Sequence, residues 1–253
     1  IGNQKFEERD PAILGGMFAV WNDHAGNGIT VRDIHHRVMP ALRTISAKTW
    51  TGAAVSVPYA EFARRGAALS EAPGVNLLGR LPGIAEGRAT LRCPRPVLQP
   101  NAPVDWVGDA VGYDYTVSFD LEADSVRRGD VLFSSSDATV YLASPKNGKL
   151  AFEREGYLNE FDYVVPAGRK VRLTFVGTNR ETLLFVDGRF RQALYPLTLG
   201  SASTDAGLAG ASADPYAASK MYYQRTLVFP LARTGNFVGR ISDLSVSNYA
   251  EKY

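Results

Sequence analysis

The chain has 253 residues, of which 45% are hydrophobic and 21% are charged, as in packed globular proteins. These values exclude a disordered chain, and the length predicts one or two domains. With 28 basic and 26 acidic side chains the net charge is +2, which argues against the basic surface of a nucleic-acid-binding protein. The single cysteine, Cys93, excludes an internal disulfide and a cysteine-rich zinc site, and no apolar run is long enough to cross a membrane.

The first residue is Ile1 rather than Met, and residues 1–11 form a mixed polar stretch that is not a signal peptide. We therefore expect this chain to be a piece of a longer protein.

Residues 13–21 form a continuous apolar run, which predicts a strand buried on both faces. A polar loop follows, and Thr30 with Asp33 three residues later predicts the start of a helix. Apolar residues at helical spacing extend this amphipathic helix over residues 31–50, and a second helix is predicted over residues 59–69. A buried strand, a loop and a helix make one βα unit of the kind found in a (β/α)8 barrel.

In such a barrel the polar residues at the carboxyl end of a strand face the active site. Here those residues are Trp21, Asn22, Asp23 and His24. An aromatic ring stacks on the C–H face of a pyranose, and a neighbouring carboxylate accepts hydrogen bonds from two hydroxyls. Trp21 and Asp23 therefore predict a sugar subsite, which we favour over the alternative of an ordinary barrel end.

This first segment resembles the last strand and last helix of family 20 glycoside hydrolases, the β-N-acetylhexosaminidases. The resemblance is carried by LGGMFAVWND at residues 14–23, VRDI at 31–34 and RVMPA at 37–41, and it covers roughly residues 10–80. It implies that Trp21 forms the back wall of the sugar pocket and that Asp23 bonds the outer hydroxyls of the sugar. The family usually has glutamate at this second position, so Asp23 is one methylene shorter.

The resemblance also implies substrate-assisted hydrolysis, in which the 2-acetamido oxygen attacks the anomeric carbon and an adjacent Asp-Glu pair orients it and donates the proton. This chain contains no Asp-Glu dipeptide. We therefore expect no catalytic residue in this chain and no activity from it alone, and we expect the proton donor in an N-terminal barrel portion that is missing here.

Five prolines within residues 73–100 predict a linker or packed connecting arm at about residues 75–100. Beyond it, period-two alternation predicts strands at 115–121, 131–134, 139–143, 149–154, 161–165, 171–176, 183–186, 224–229 and 237–248. Turn pairs such as Asn147-Gly148 and Asp187-Gly188 connect them. The predicted fold class is mainly β, an antiparallel sandwich at 101–253 preceded by the βα unit at 1–74. Residues 115–121, 183–188 and 237–248 resemble a concanavalin-like, laminin-G-type jelly roll.

Several other residues admit more than one interpretation. His35 and His36 are adjacent on a helix and point in different directions, so we expect ordinary helix histidines and no metal site. Cys93 is expected to be an inert thiol. The aspartates Asp105, Asp109 and Asp243 are interpreted as solvated turn residues rather than calcium ligands. Tyrosines beside the long loop at 199–219 fit sugar stacking and sandwich-edge packing equally well: Tyr216, Tyr222 and Tyr223.

The leading hypothesis is thus the C-terminal fragment of a secreted, periplasmic or cell-surface bacterial β-N-acetylhexosaminidase, acting on glycans with terminal N-acetylhexosamine and needing no cofactor. The alternatives are a non-catalytic carbohydrate-binding sandwich and a purely structural spacer. In every case we expect no nucleic-acid partner and no membrane span. We also expect residues 13–21 to be covered, by pairing with the sandwich or a second copy or by the helix that follows.

Overall fold

The computed structural model describes residues 10–20, 28–51, 57–69, 71–84, 86–195, 197–199 and 221–251. Two α-helices come first, α1 (Val31–Thr51) and α2 (Tyr59–Ala68). Their bounds confirm the helical periodicity of this segment to within one residue. Pro40 lies inside α1, which continues through it. None of the described helices is long and apolar enough to cross a membrane.

The rest of the described chain is mainly β. Its strands are β1 (Thr90–Arg92), β2 (Val97–Leu98), β3 (Ala110–Val111), β4 (Tyr115–Ser125), β5 (Val131–Ser134), β6 (Thr139–Tyr141), β7 (Ala151–Arg154), β8 (Tyr157–Glu160), β9 (Lys170–Gly177), β10 (Thr182–Val186), β11 (Arg189–Leu194), β12 (Leu197–Leu199), β13 (Met221–Tyr223), β14 (Phe229–Pro230), β15 (Arg233–Thr234) and β16 (Val238–Ser247).

Two antiparallel sheets face each other. The larger has the order β1-β16-β4-β9-β10-β11, with β2 also paired to β16, and the second has the order β15-β5-β6-β7-β8. Two short pairs, β14 with β3 and β12 with β13, complete the described pairings. This arrangement confirms the antiparallel sandwich predicted from the alternation. The Asp187-Gly188 turn joins β10 to β11 with positive φ at both residues, as a two-residue hairpin requires.

The core lies between the two sheets and is rich in phenylalanine. Phe119 and Phe175 project from the larger sheet, and Phe133 from the second sheet contacts Phe119 with ring centroids 5.2 Å apart. Phe229 lies 5.3 Å from Phe175 and 5.6 Å from Phe133, so it bridges the sheets. Each buried phenylalanine stabilises the fold by about 1.5–3 kcal/mol through removal of apolar surface from water.

Two predicted strands are wrong. Residues 161–165 form no strand, and β8 instead precedes them, because the chain reverses at Glu155 and Gly156, both with positive φ. Residues 224–228 are irregular, and only Phe229 and Pro230 pair, with β3. Residues 161–165 alternate in burial as a strand would, whereas residues 226–230 are buried consecutively, and both stretches fill the core from loop backbone rather than from a ladder.

The predicted strand at residues 13–21 is also wrong over its described part, residues 13–20. These residues form neither helix nor strand and have no strand partner among the described residues, and Leu14 and Met17 are almost fully exposed. The segment touches α1 at Gly16, where a β-carbon would lie only 2.9 Å from Thr49 Cγ2 and 3.3 Å from Ile45 Cδ1. The predicted close packing at the glycine pair is therefore present at Gly16. Within the described residues neither the sandwich nor α1 covers Leu14 and Met17, and cover by a second copy of the chain stays a prediction.

A second close approach joins the connecting arm to the sandwich. Gly112 N donates to Gly79 O at 3.0 Å, and a β-carbon on Gly79 would lie 2.3 Å from Gly112 N. Gly79 also has a φ of 62°. Only glycine fits here, because both the backbone angle and the neighbouring backbone exclude a side chain.

We predict that Gly79→Ala lowers the free energy of unfolding by about 3 kcal/mol, because left-handed strain and a backbone clash add. Gly83→Ala is the matched control, since Gly83 lies on the same arm with a φ of 74° and nothing within 4 Å of its β-carbon position. Gly83→Ala should lower the free energy of unfolding by only about 1 kcal/mol. Urea unfolding measures the free energy of unfolding of both variants. Equal losses would show that the arm does not pack tightly on the sandwich.

Candidate functional site

The predicted sugar-binding residues Trp21 and Asp23 lie outside the described residues, as do Asn22 and His24. The next described residue is Gly28, three residues before α1 begins. The structure therefore fixes what lies on either side of the predicted subsite: the apolar segment 10–20 before it, and the amino end of α1 after it.

The amino end of α1 is bound to the sandwich by Arg154 of β7. The guanidinium Nη2 lies 2.7 Å from Thr30 Oγ1, 2.7 Å from Asp33 Oδ2 and 3.0 Å from Asp137 Oδ2. Nη1 donates to the carbonyl of Thr226 at 2.9 Å and to the Tyr113 hydroxyl at 3.2 Å. Arg154 thus joins three separate parts of the sandwich to the first turn of the helix.

Both carboxylate oxygens of Asp33 accept further hydrogen bonds. Tyr113 donates to Asp33 Oδ1 at 2.8 Å, and the backbone N–H of Thr30 donates to Asp33 Oδ2 at 2.9 Å. The second bond confirms the predicted pairing of Thr30 and Asp33 at the helix start. Side-chain exposure is only 1% for Arg154, 4% for Asp33 and 10% for Asp137. We call these three residues with Thr30 and Tyr113 the Arg154 cluster.

Charge sets the protonation state within the cluster. Burial alone would raise the pKa of Asp33, but the Arg154 charge and the hydrogen bonds from Thr30, Arg154 and Tyr113 outweigh it and hold the pKa below the usual value. Burial raises the pKa of Tyr113. Burial also opposes the charge on Arg154, but the neighbouring acidic groups raise its pKa overall. Asp33 is therefore held ionised, and Arg154 is the buried counterion that stabilises its charge.

Other side chains of α1 extend this contact. Arg32 donates to the carbonyls of Asn76 and Leu77 at 2.9 and 3.2 Å and forms a 2.7 Å ion pair with Asp109. His35 Nε2 lies 2.7 Å from Glu71 Oε1, and Glu71 also accepts hydrogen bonds from the backbone of the connecting arm. The helix, the arm and the sandwich are consequently held together by polar contacts as well as by packing.

A cleft of about 580 Å³ lies between α1, α2, the arm and the sandwich. Its apolar lining comes mainly from α1 and the arm: Met39, Pro40, Leu78, Leu81 and Ile84. Its polar groups are His36, Arg43, Arg64, Arg80, Glu86 and Asp114. This volume is in the range of sites for sugars and other small molecules.

The sandwich end of the cleft carries an imidazole and a carboxylate. His36 meets the ring of Tyr113 edge to face, with centroids 5.5 Å apart and an angle of 84°. Burial lowers the pKa of His36, against the opposing charges of Asp33 and Asp114, so the imidazole is held neutral. Burial raises the pKa of Asp114, and the His36 charge opposes this. Both groups line the cleft and interact electrostatically with each other, and neither forms a salt bridge within the described residues.

The remaining predicted sites are structural where they are described. Asp105 pairs with Arg95, Asp109 with Arg32, and Asp243 with both Arg92 and Arg172. The described residues contain no group of three or more His, Cys, Asp or Glu arranged to hold a metal ion. Cys93 is a half-buried free thiol packed against the core. Tyr216 lies outside the described residues, and Tyr222 and Tyr223 belong to β13.

The role of Arg154 was not predicted, although the sequence contained a signal for it. Phe152 and Arg154 are two residues apart on β7, so both project from the same face, and Phe152 is a core residue. An arginine on the core face of a strand requires buried partners. The sequence alone does not show that one of them is Asp33, 121 residues earlier in the chain.

No protein-family model and no curated protein sequence matches this chain. Among solved structures it is similar to domain 4 of a GH43 extracellular arabinanase from Geobacillus stearothermophilus, with 12% identity, coverage of 62% of this chain and 84% of that chain, and a TM-score of 0.37. It is similar to a SAP-like pentraxin from Limulus polyphemus, with 11% identity, coverage of 62% of this chain and 70% of that chain, and a TM-score of 0.33. It is also similar to a Trypanosoma rangeli sialidase, with 10% identity, coverage of 55% of this chain and 21% of that chain, and a TM-score of 0.29. Similarities this low assign no ligand or activity to this chain.

We predict that Asp33→Asn lowers the free energy of unfolding at neutral pH by about 3 kcal/mol, because it leaves Arg154 buried with one carboxylate fewer. Since folding depresses the pKa of Asp33, the wild-type stabilisation is present above about pH 4 and is lost as the pH falls through the folded-state pKa. Asp33→Asn should lack this acid-sensitive component. Urea unfolding between pH 2 and pH 7, followed by circular dichroism, measures both effects.

Asp243→Asn is the control, because it makes the same substitution in an exposed ion pair of the larger sheet. Asp243→Asn should lower the free energy of unfolding by about 0.5 kcal/mol. Equal losses in the two variants, or identical pH profiles for wild type and Asp33→Asn, would contradict the assignment of the Arg154 cluster as the contact that binds α1.

Proposed function

We propose that this chain is the C-terminal portion of a glycoside hydrolase similar to family 20, a β-N-acetylhexosaminidase. Residues 1–74 supply the last βα unit of the catalytic barrel, residues 75–100 connect, and residues 101–253 form an accessory sandwich of concanavalin or laminin-G type. The activity, removal of terminal N-acetylhexosamine from extracellular glycans, belongs to the longer protein.

The observation that carries the proposal is that residues 10–20 pack on α1 while part of their apolar surface is exposed. This segment packs by Gly16 against Ile45 and Thr49 of α1, as a barrel strand packs against the helix that follows it. Leu14 and Met17 are almost fully exposed and Val20 is half exposed, whereas Ile13 and Phe18 are partly covered. Exposed apolar side chains on a segment with no strand partner favour aggregation, and neighbouring barrel strands would cover them.

The motif supports the same proposal from the sequence. The apolar segment runs into Trp21 and Asp23, and the resemblance to family 20 gives these residues the pocket wall and the hydroxyl contact. The Arg154 cluster then fixes the helix that follows to the sandwich. The sandwich in this proposal is a rigid support for the last barrel helix. The acid and the acetamido-orienting carboxylate come from the preceding barrel strands.

The test compares this chain with the protein encoded by its full reading frame, using a chromogenic N-acetyl-β-glucosaminide. We predict no turnover by the chain of 253 residues and turnover by the longer protein. Trp21→Ala in the longer protein should lower kcat/KM by about a hundredfold, because the ring that stacks on the sugar is lost. Trp50→Ala is the matched control, since Trp50 is a 90% exposed indole on α1 and should have no effect.

Hydrolysis by the chain alone, or a longer protein unaffected by Trp21→Ala, would contradict the proposal. Binding of N-acetylated oligosaccharides to the chain alone, unchanged by Trp21→Ala, would instead favour a carbohydrate-binding sandwich, the alternative function.

A further inference from the structure

The cleft between the helices and the sandwich has an unusual concentration of positive charge at the α2 end. Arg43 of α1 and Arg80 of the arm both donate to the carbonyl of Leu69, the residue that follows α2, at 3.5 and 2.5 Å. Arg43 is held in place by packing on Gly66, where a β-carbon would lie 3.4 Å from its Cδ. Two like charges therefore converge on one oxygen.

These two arginines have no ion-pair partner within the part of the chain that the structure describes. Among the carboxylates nearby, Glu71 accepts hydrogen bonds from the arm backbone and lies against His35, and Glu86 pairs with Arg64. Each arginine donates one N–H to the carbonyl of Leu69, and each guanidinium carries five N–H groups. Both arginines line the cleft, so donors that have no partner among the described residues are available at this end of it.

Burial, followed by the charge of Arg80, lowers the pKa of Arg43, and the charge of Glu71 partly opposes this. The charge of Arg80 therefore acts on Arg43 across the cleft. Both remain charged at neutral pH, because an arginine side chain does not lose its proton in proteins. Two converging cations that form no salt bridge with a described residue offer an oxyanion several charge-assisted hydrogen bonds.

The opposite end of the cleft has different chemistry. His36 and Asp114 lie there beside the sandwich. His36 and Arg43 are seven residues apart on α1, about 10 Å along the helix axis at 1.5 Å per residue. The carboxylate of Asp114 disfavours an anion at this end and accepts hydrogen bonds from hydroxyls. The apolar wall between the ends includes Met39 and Leu81.

We propose that this cleft binds a small sugar-sized ligand that carries a carboxylate or phosphate, with the anion between Arg43 and Arg80 and hydroxyls against Asp114 and His36. The volume of about 580 Å³ accommodates a ligand of this size. The proposal uses neither Trp21 nor Asp23, the residues of the predicted sugar subsite, so it does not rest on the proposed hydrolase activity.

Isothermal titration of the purified chain tests the proposal with six probes. Glucuronate and N-acetylneuraminate carry a carboxylate, glucose 6-phosphate carries a phosphate, glucose is the neutral control, and acetate and inorganic phosphate are anions without a sugar body. We expect at least one sugar acid or sugar phosphate to bind with a Kd of about 0.1–1 mM. We expect the neutral sugar and the small anions to bind at least tenfold more weakly.

Arg80→Gln and Arg43→Gln should each weaken binding of the anionic sugar at least tenfold, because each removes one of the two charges. Arg65→Gln is the matched control, since Arg65 lies on α2, pairs with Glu61 and does not line the cleft. Melting temperatures of all variants establish that they are folded, and Arg80→Gln keeps the test valid if loss of the Arg43 packing unfolds α2.

Sugar carboxylates binding more tightly than the sugar phosphate would identify the carboxylate as the source of the anion, and the reverse order would identify the phosphate. The proposal is overturned if no anionic sugar binds at about 20 mM. It is also overturned if the small anions bind as tightly as the anionic sugars, or if both arginine variants bind like Arg65→Gln.

Discussion

The strongest contact that places α1 on the sandwich is one buried interaction, between Arg154 of β7 and Asp33, which the Arg32–Asp109 ion pair supplements. Taking both charges out of water is costly, and the cost is offset only because nearly every donor and acceptor in the Arg154 cluster has a partner. The hydrogen bonds of the cluster form together only when Asp33 and Thr30 lie directly beside Arg154. We therefore infer that the interaction fixes the register of α1 on the sandwich more than it adds to the net free energy of unfolding.

Two other features follow from that register. The cleft exists because α1 and the arm are held against the sandwich edge, with Gly79 and Gly112 in backbone contact at its floor. Segment 10–20 contacts α1 at Gly16, and Leu14 and Met17 on it are almost fully exposed. Described residues of this chain line the cleft, whereas the exposed apolar side chains of the segment need neighbours in the proposed barrel.

Local patterns predicted much of the fold. Helical periodicity placed α1 and α2, and period-two alternation with the Asp187-Gly188 turn placed the hairpin of β10 and β11. Alternation failed at residues 161–165, because buried loop residues can show the same spacing as a strand. The apolar run at 13–20 resembled a buried strand, but burial depends on partners that sequence periodicity does not reveal. The Arg154–Asp33 and Arg43–Arg80 pairs were not predicted, since each joins residues far apart in the chain.

The most direct test of the account is amide hydrogen exchange on wild type and on Arg154→Met, which keeps a similar volume but leaves Asp33 and Asp137 without their cation. The account predicts that amides in the first two turns of α1 exchange much faster in the variant, while those of β4 and β9 stay protected. Unchanged protection at the start of α1 would contradict it, because the helix would then be held to the sandwich without Arg154.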